Sequence, residues 1–374
     1  MDFIVVVVII TALAFDFTNG FHDTANAMAT SIATGALRPR VAVALSAVLN
    51  LVGAFLSVEV ARTISGGIVD ETAISPAVIF GGLVGAILWN LVTWLFGLPS
   101  SSSHALIGGL IGATWIAAGG SAVQFGKIVE KVLVPAVASP LIAALVATVG
   151  TYLVYRITRR ASERGVRSGF RHGQIMSASL VSLAHGTNDA QKTMGLITLT
   201  LITAGSLPSD ADPPLWVILT AGLAIAAGTY IGGWRIIRTV GHRITDIAPQ
   251  QGFAAETSAA AVILTSSHLG YPLSTTHVAS GAVIGSGLGK RLAEVRWGVA
   301  GRMAVAWLVT LPAAGAAGAV AGRVADLGTV GVVAVALVGI VLAFGIYLAS
   351  RRDAVGAHNV NDREPAAPVA PVAG

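Results

Sequence analysis

The chain has 374 residues, 54% of them hydrophobic and 11% charged, with a mean hydropathy of +0.78. That balance excludes a soluble domain and reads as an all-α polytopic membrane protein, since a helix rising about 1.5 Å per residue needs roughly 20 apolar residues to cross about 30 Å of hydrocarbon. The absence of cysteine removes disulfides, thiol catalysis and Cys-ligated metals, and the net charge of +5 follows from loop arginines that orient a membrane protein, with no nucleic-acid partner implied.

Residues 3–34 form an apolar run interrupted by polar groups at 16–23, too long for one crossing, and a broken span is expected there. No basic segment precedes it, so it reads as a mature helix rather than a signal peptide. Arg38 and Arg40 lead into a span at 41–61, followed by an acidic loop with Asp70 and Glu71. Residues 77–119 read as a hairpin whose apolar arms flank Pro99-Ser100-Ser101-Ser102-Ser103-His104. A mixed loop with Lys127, Glu130 and Lys131 precedes a span at 132–155. Arg156, Arg159, Arg160, Arg164, Arg167 and Arg171, against Glu163 alone, then mark a cytoplasmic segment. A span at 174–203 leads to Asp210 and Asp212, and one at 215–234 returns to Arg235, Arg238 and Arg243. Residues 253–289 form a second hairpin around Pro272-Leu273-Ser274-Thr275-Thr276-His277, closed by Lys290, Arg291 and Arg296. Spans at 297–322 and 327–349 end at Arg351 and Arg352.

Counting crossings in both directions from the arginine-rich segment puts both ends of the first hairpin outside and both ends of the second inside. The expected architecture is therefore two inverted-topology repeats with opposed re-entrant helical hairpins, the arrangement of an alternating-access transporter. Residues 1–155 form the first membrane repeat, 156–172 an Arg-rich cytoplasmic linker, and 173–325 the second, inverted repeat. Residues 326–350 add a C-terminal transmembrane helix, and 351–374 read as a disordered cytoplasmic tail.

The halves share a second signature. Gly20-Phe21-His22-Asp23-Thr24-Ala25-Asn26-Ala27 aligns with Gly186-Thr187-Asn188-Asp189-Ala190-Gln191-Lys192-Thr193. An ionised aspartate at membrane depth is expensive, so Asp23 and Asp189 call for a cation, a proton or a polar neighbour, and the glycine before each would permit a helix break that frees carbonyls for the same cation. The tips ask for the opposite charge. Ser101, Ser102 and Ser103, and likewise Ser274, Thr275 and Thr276, fall at N-cap and first-turn positions of the helices that follow, where free N–H groups, hydroxyls and the positive dipole end suit a compact oxyanion. Phosphate fits this better than chloride. The chain lacks a nucleotide loop, His-Glu-x-x-His and Gly-x-Ser-x-Gly, and its loops are too short for a catalytic domain, so no enzyme is expected.

These duplicated motifs resemble the PiT family of inorganic phosphate transporters over nearly the whole chain apart from the tail. The resemblance implies orthophosphate symport at the plasma membrane, with Ser101, Ser102, Ser103, Ser274, Thr275 and Thr276 holding phosphate and Asp23, Asn26, Asn188 and Asp189 the coupling cation. Two departures from the sodium-dependent form bear on that ion: His22 stands where the first Asn would be, and Lys192 where Asn26 stands in the other half. A lysine beside Asp189 competes with sodium and His22 titrates near neutral pH, so H⁺ is favoured over Na⁺ at Asp23 and Asp189. His22, Gln191, Lys192, His104 and His277 are the candidate proton or charge partners. The bacterial proton-linked subgroup that the chain resembles implies low-affinity uptake, of free phosphate or of a neutral complex with a divalent metal. A sodium-coupled symporter and a passive anion channel are the alternatives. The partners expected are inorganic phosphate, the coupling cation and the lipid bilayer, with a homodimer left open and no cofactor.

Overall fold

The computed structural model describes residues 2–67, 69–70, 73–290 and 295–362. Glu71 of the acidic loop, Arg291 and residues 363–374 of the expected tail lie outside the described residues. The chain begins with α1 (Phe3–Ala33), α2 (Pro39–Gly53), α3 (Glu59–Gly67), α4 (Pro76–Leu95) and α5 (Ser102–Ala118). A short α6 (Phe125–Ile128) passes through a wide turn at Val129–Leu133 into α7 (Val134–Thr158). The order then recurs as α8 (Glu163–Thr203), α9 (Leu215–Ile231), α10 (Trp234–Arg238) with a wide turn at Thr239–Arg243, α11 (Pro249–His268), α12 (Thr275–Lys290), α13 (Trp297–Ala325) and the added α14 (Thr329–Ser350).

Among the described residues five helical stretches are long and apolar enough to cross a membrane, and α9 with α10 makes a sixth across a 60° bend. The outer faces of these helices are apolar, with Leu308 78% and Val330 81% exposed, as expected of side chains that meet lipid. This is a multi-pass membrane protein. The expected span at 41–61 divides into α2 and α3, and that at 215–234 bends between α9 and α10.

Two apolar clusters fill the interior and show how the halves run. Val8, Ala12 and Phe15 of α1 lie in the first cluster and Met28 and Ile32 in the second, whereas α8 places Ala178 and Val181 in the second and Met194 and Ile197 in the first. Helices α1 and α8 are therefore antiparallel. The buried core residues of the α4–α5 hairpin lie in the first cluster, with Trp94 reaching the second, and those of the α11–α12 hairpin lie in the second. Arg38 and Arg235 adjoin Leu37 and Ile236 at the second cluster, and Arg62, paired with Asp212, adjoins Ala61 of the first.

The hairpins are asymmetric in a way that the re-entrant expectation did not contain. First arms α4 and α11 each run 20 residues, about 30 Å, and so approach the far side; second arms α5 and α12 have 17 and 16. The chain reverses at Gly97 and Gly270, whose φ angles of +62° and +72° favour glycine. Each turn is latched by one hydroxyl: Thr239 donates to the Gly97 carbonyl and Thr63 to the Gly270 carbonyl, both at 2.8 Å.

The break expected in α1 is absent, and so is its counterpart in α8. Both helices run unbroken through Gly20 and Gly186. The glycines serve close approach instead: a Cβ at Gly20 would lie 2.9 Å from the Thr229 nitrogen of α9, and one at Gly186 would lie 2.6 Å from the Asn50 Cα of α2. Flexibility at a glycine is no reason to break when a neighbouring backbone fills the space its missing side chain leaves.

The beginning of the expected tail is also ordered. Val360 is buried in the second cluster, Arg235 donates to the carbonyls of Ser350 and Asp353, and Arg238 donates to that of Asn359 at 2.7 Å. Residues 351–362 thus fold against the inner end of α10, because the arginines there need carbonyl acceptors.

Candidate functional site

The polar residues of α1 and α8 meet the two hairpin tips between the apolar clusters. Ser101 and Ser274 are N-caps: their hydroxyls accept the amide N–H of His104 at 3.1 Å and of His277 at 3.2 Å. The remaining tip hydroxyls turn to the motif helices. Asp23 accepts from Ser102 at 2.9 Å, Thr275 at 3.3 Å and Thr276 at 3.4 Å, and Asp189 accepts from Thr275 at 3.1 Å. Thr275 therefore touches both carboxylates. All these groups are buried.

The crossing bonds are equivalent in the two halves. Asn26 donates to Thr276 of the second tip at 3.0 Å, and Lys192, at the matching position, donates to Ser103 of the first tip at 2.6 Å. Lys192 also donates to Asp189 and to the Leu273 carbonyl. His22 Nδ1 sits 2.6 Å from Asp23, and its Nε2 lies 3.2 Å from the Thr93 hydroxyl and 3.4 Å from that of Ser100.

Four of the singled-out residues lie off this centre. Gln191 accepts from the Val60 and Ala61 amides and so ties down the start of α3. The His104 and His277 rings meet edge to face at 4.8 Å and His277 stacks on Trp307 at 4.1 Å, so they wedge the tips together against α13. Asn188 holds the first arm of its own hairpin through Ser267 at 2.9 Å and the Tyr271 carbonyl.

His185 was not singled out from the sequence. Its Nε2 stands 3.0 Å from Asp189, one helical turn away, and its Nδ1 lies 3.2 Å from Asn50, which bonds Thr229 of α9 at 2.8 Å. The i, i+4 spacing to Asp189 was the available signal. Glu256 was missed as well; it accepts from Thr30, Ser31, Ser177 and Gln174 on the inner side of the site. One ligand atom each from Asp23, His185 and Asp189 gathers within 4.8 Å, a set able to hold a cation. The same centre brings hydroxyl donors, two helix N-termini and one ammonium together, the chemistry of an oxyanion cradle.

A sequence model of the phosphate transporter family matches residues 19–318. The chain belongs to the phosphate transporter family. Among relatives, a "probable low-affinity inorganic phosphate transporter" of Mycobacterium tuberculosis (strain CDC 1551 / Oshkosh) is 60% identical over 364 residues, 96% of this chain and 87% of the relative. One of the same description from Bacillus subtilis (strain 168) is 45% identical over 84% of this chain and 95% of its own length. A solved structure, "the sodium-dependent phosphate transporter", superposes with a TM-score of 0.75 at 26% identity, covering 87% of this chain and all of that one. The relatives of this family are named as transporters, and the chain is not an enzyme.

Proposed function

We propose that this protein is a secondary active importer of inorganic phosphate, driven by proton symport through alternating access. Its relatives carry low-affinity phosphate transport in their descriptions, and the hydroxyls of Ser102, Ser103, Thr275 and Thr276 at two opposed helix N-termini suit an oxyanion. Ser101 and Ser274 contribute by capping those helices, which aims the N-termini at the ligand.

The observation that carries the choice of ion is the Lys192 ammonium on Asp189. A fixed positive charge already occupies the carboxylate that sodium would need, and a cation placed beside it would be repelled. Asp23 and Asp189 against Lys192 leave one negative charge, and burying phosphate there adds more of the same sign. Protons on the imidazoles that face the two aspartates, His22 and His185, offset that charge. Coupling follows, since phosphate and proton are each unfavourable in the site without the other.

The test is radiolabelled phosphate uptake into proteoliposomes with an acid-outside pH gradient or an inward sodium gradient, the other cation replaced by choline. Uphill accumulation with the pH gradient alone is expected. Accumulation only with sodium overturns proton coupling, and downhill flux without accumulation identifies a channel. Repeating the assay with a chelator asks whether the substrate is free phosphate or its metal complex.

A further inference from the structure

Asp16 lies on α1 two turns before Asp23, about 10 Å along the axis towards the outer side. Its exposure is 0%, and its polar neighbours are the neutral side chains of Thr193 and Asn19, with no cationic side chain bonded to it. The Asn19 amide and the Thr193 hydroxyl are themselves buried and bond no group other than Asp16. The side chains of Thr193 and Asn19 face Asp16, and the charges of Asp189 and Lys192 reach it from α8. Helix α4 carries no titratable residue, α9 has only Tyr230 at its far end, and α3 contributes the exposed Glu59 and Arg62.

Every other carboxylate of the membrane core is answered: Asp23 by His22 and tip hydroxyls, Asp189 by Lys192 and His185, Glu256 by four donors. An ionised Asp16 here would be an uncompensated buried charge, which costs several kcal/mol. One proton removes that charge and keeps both neighbours bonded. A neutral carboxyl has an O–H to donate to the Asn19 oxygen or the Thr193 hydroxyl, and a carbonyl oxygen to accept from the Asn19 nitrogen or that hydroxyl.

We propose that Asp16 is a proton-binding carboxyl of the transporter, lying on α1 about two turns from the tip site. An O–H bond forms on Asp16 as hydronium gives up its proton and becomes water, and it breaks when another water takes the proton on; no electrons change hands. Asn19 and Asp23 on α1, and Thr193, Asp189 and His185 on α8, recur at helical spacings of three and four residues between the level of Asp16 and the tip site.

The inference rests on the proton-symport reading, and its test separates the two. In proteoliposomes, Asp16→Asn is expected to lower uptake driven by an acid-outside gradient about tenfold and to flatten its pH profile, while phosphate exchange at equal pH falls less than about threefold. Asp16→Glu, which restores the carboxyl, is expected to regain gradient-driven uptake with a displaced pH midpoint. Infrared spectra of the full chain should contain a protonated carboxylic acid band that Asp16→Asn removes, a readout independent of transport. Gradient-driven uptake and a pH profile unchanged in Asp16→Asn overturn the inference, as does an infrared band identical in the two proteins. Wild-type uptake indifferent to the pH gradient sinks the symport reading instead, and the infrared band then decides Asp16 alone.

Discussion

Lys192 and Asn26 occupy equivalent positions in the two halves and make equivalent bonds, each donating across the molecule to the last hydroxyl of the opposite hairpin tip, Ser103 and Thr276. One side of this pseudo-symmetric centre is therefore charged and the other neutral. The asymmetry separates the surroundings of the two aspartates, because Asp189 faces the Lys192 ammonium and Asp23 the His22 imidazole.

Replacing Lys192 by Asn makes the halves alike. Uptake driven by a pH gradient should fall about tenfold, the equivalent of roughly 1.4 kcal/mol of lost coupling, and sodium should begin to stimulate it. Uptake with choline in place of sodium, at several pH values, checks both. Lys192→Met instead deprives Asp189 of its cation and should destabilise the protein by about 3 kcal/mol, read as a lowered unfolding temperature in detergent.

The tip hydroxyls should divide by role. Ser274→Ala removes a cap and is expected to reduce stability by about 1 kcal/mol with little change in the KM for phosphate. Thr275→Val keeps the shape but loses the hydroxyl that touches both aspartates, and should lower kcat/KM about tenfold without a matching loss of stability. Paired transport and melting measurements on the two variants test the division.

Gly20→Ala and Gly186→Ala should each force a backbone apart, from α9 and α2 respectively, at a penalty of about 1–3 kcal/mol. Melting temperatures should fall in both. Gly35→Ala is not a suitable control, since φ there is +72°; Gly301→Ala, which meets nothing within 4 Å, should be nearly neutral.

Glu256→Ala strands four side-chain donors on the inner side of the site. With a buried unsatisfied donor worth about 1–3 kcal/mol, a loss of at least about 3 kcal/mol is expected, and Glu256→Gln, which keeps one acceptor oxygen, should lose less. Comparing the two melting curves decides whether the carboxylate is the acceptor that organises the cluster.

Membrane class, the duplication and the site's main chemical groups were legible in the chain because each is a local signal: apolar length, a repeated motif, four hydroxyls before a helix. Residues beside those signals were less legible. His185 lies one residue before the second motif and Glu256 within a hairpin arm, and helical periodicity gives a side chain its angle but not its partner.

What the sequence by itself determined is the inventory: two aspartates, two hydroxyl tips and one lysine set in lipid-compatible helices, which already limited the chemistry to a cation and an oxyanion. Tertiary structure alone decided that Gly20 and Gly186 admit a neighbouring backbone instead of breaking a helix, that His104 and His277 lock the tips together, that Lys192 reaches the opposite hairpin and that Asp16 is buried among neutral neighbours. Each of these depends on which helix lies opposite, and that is settled by packing between residues far apart in the chain, where no local pattern reaches.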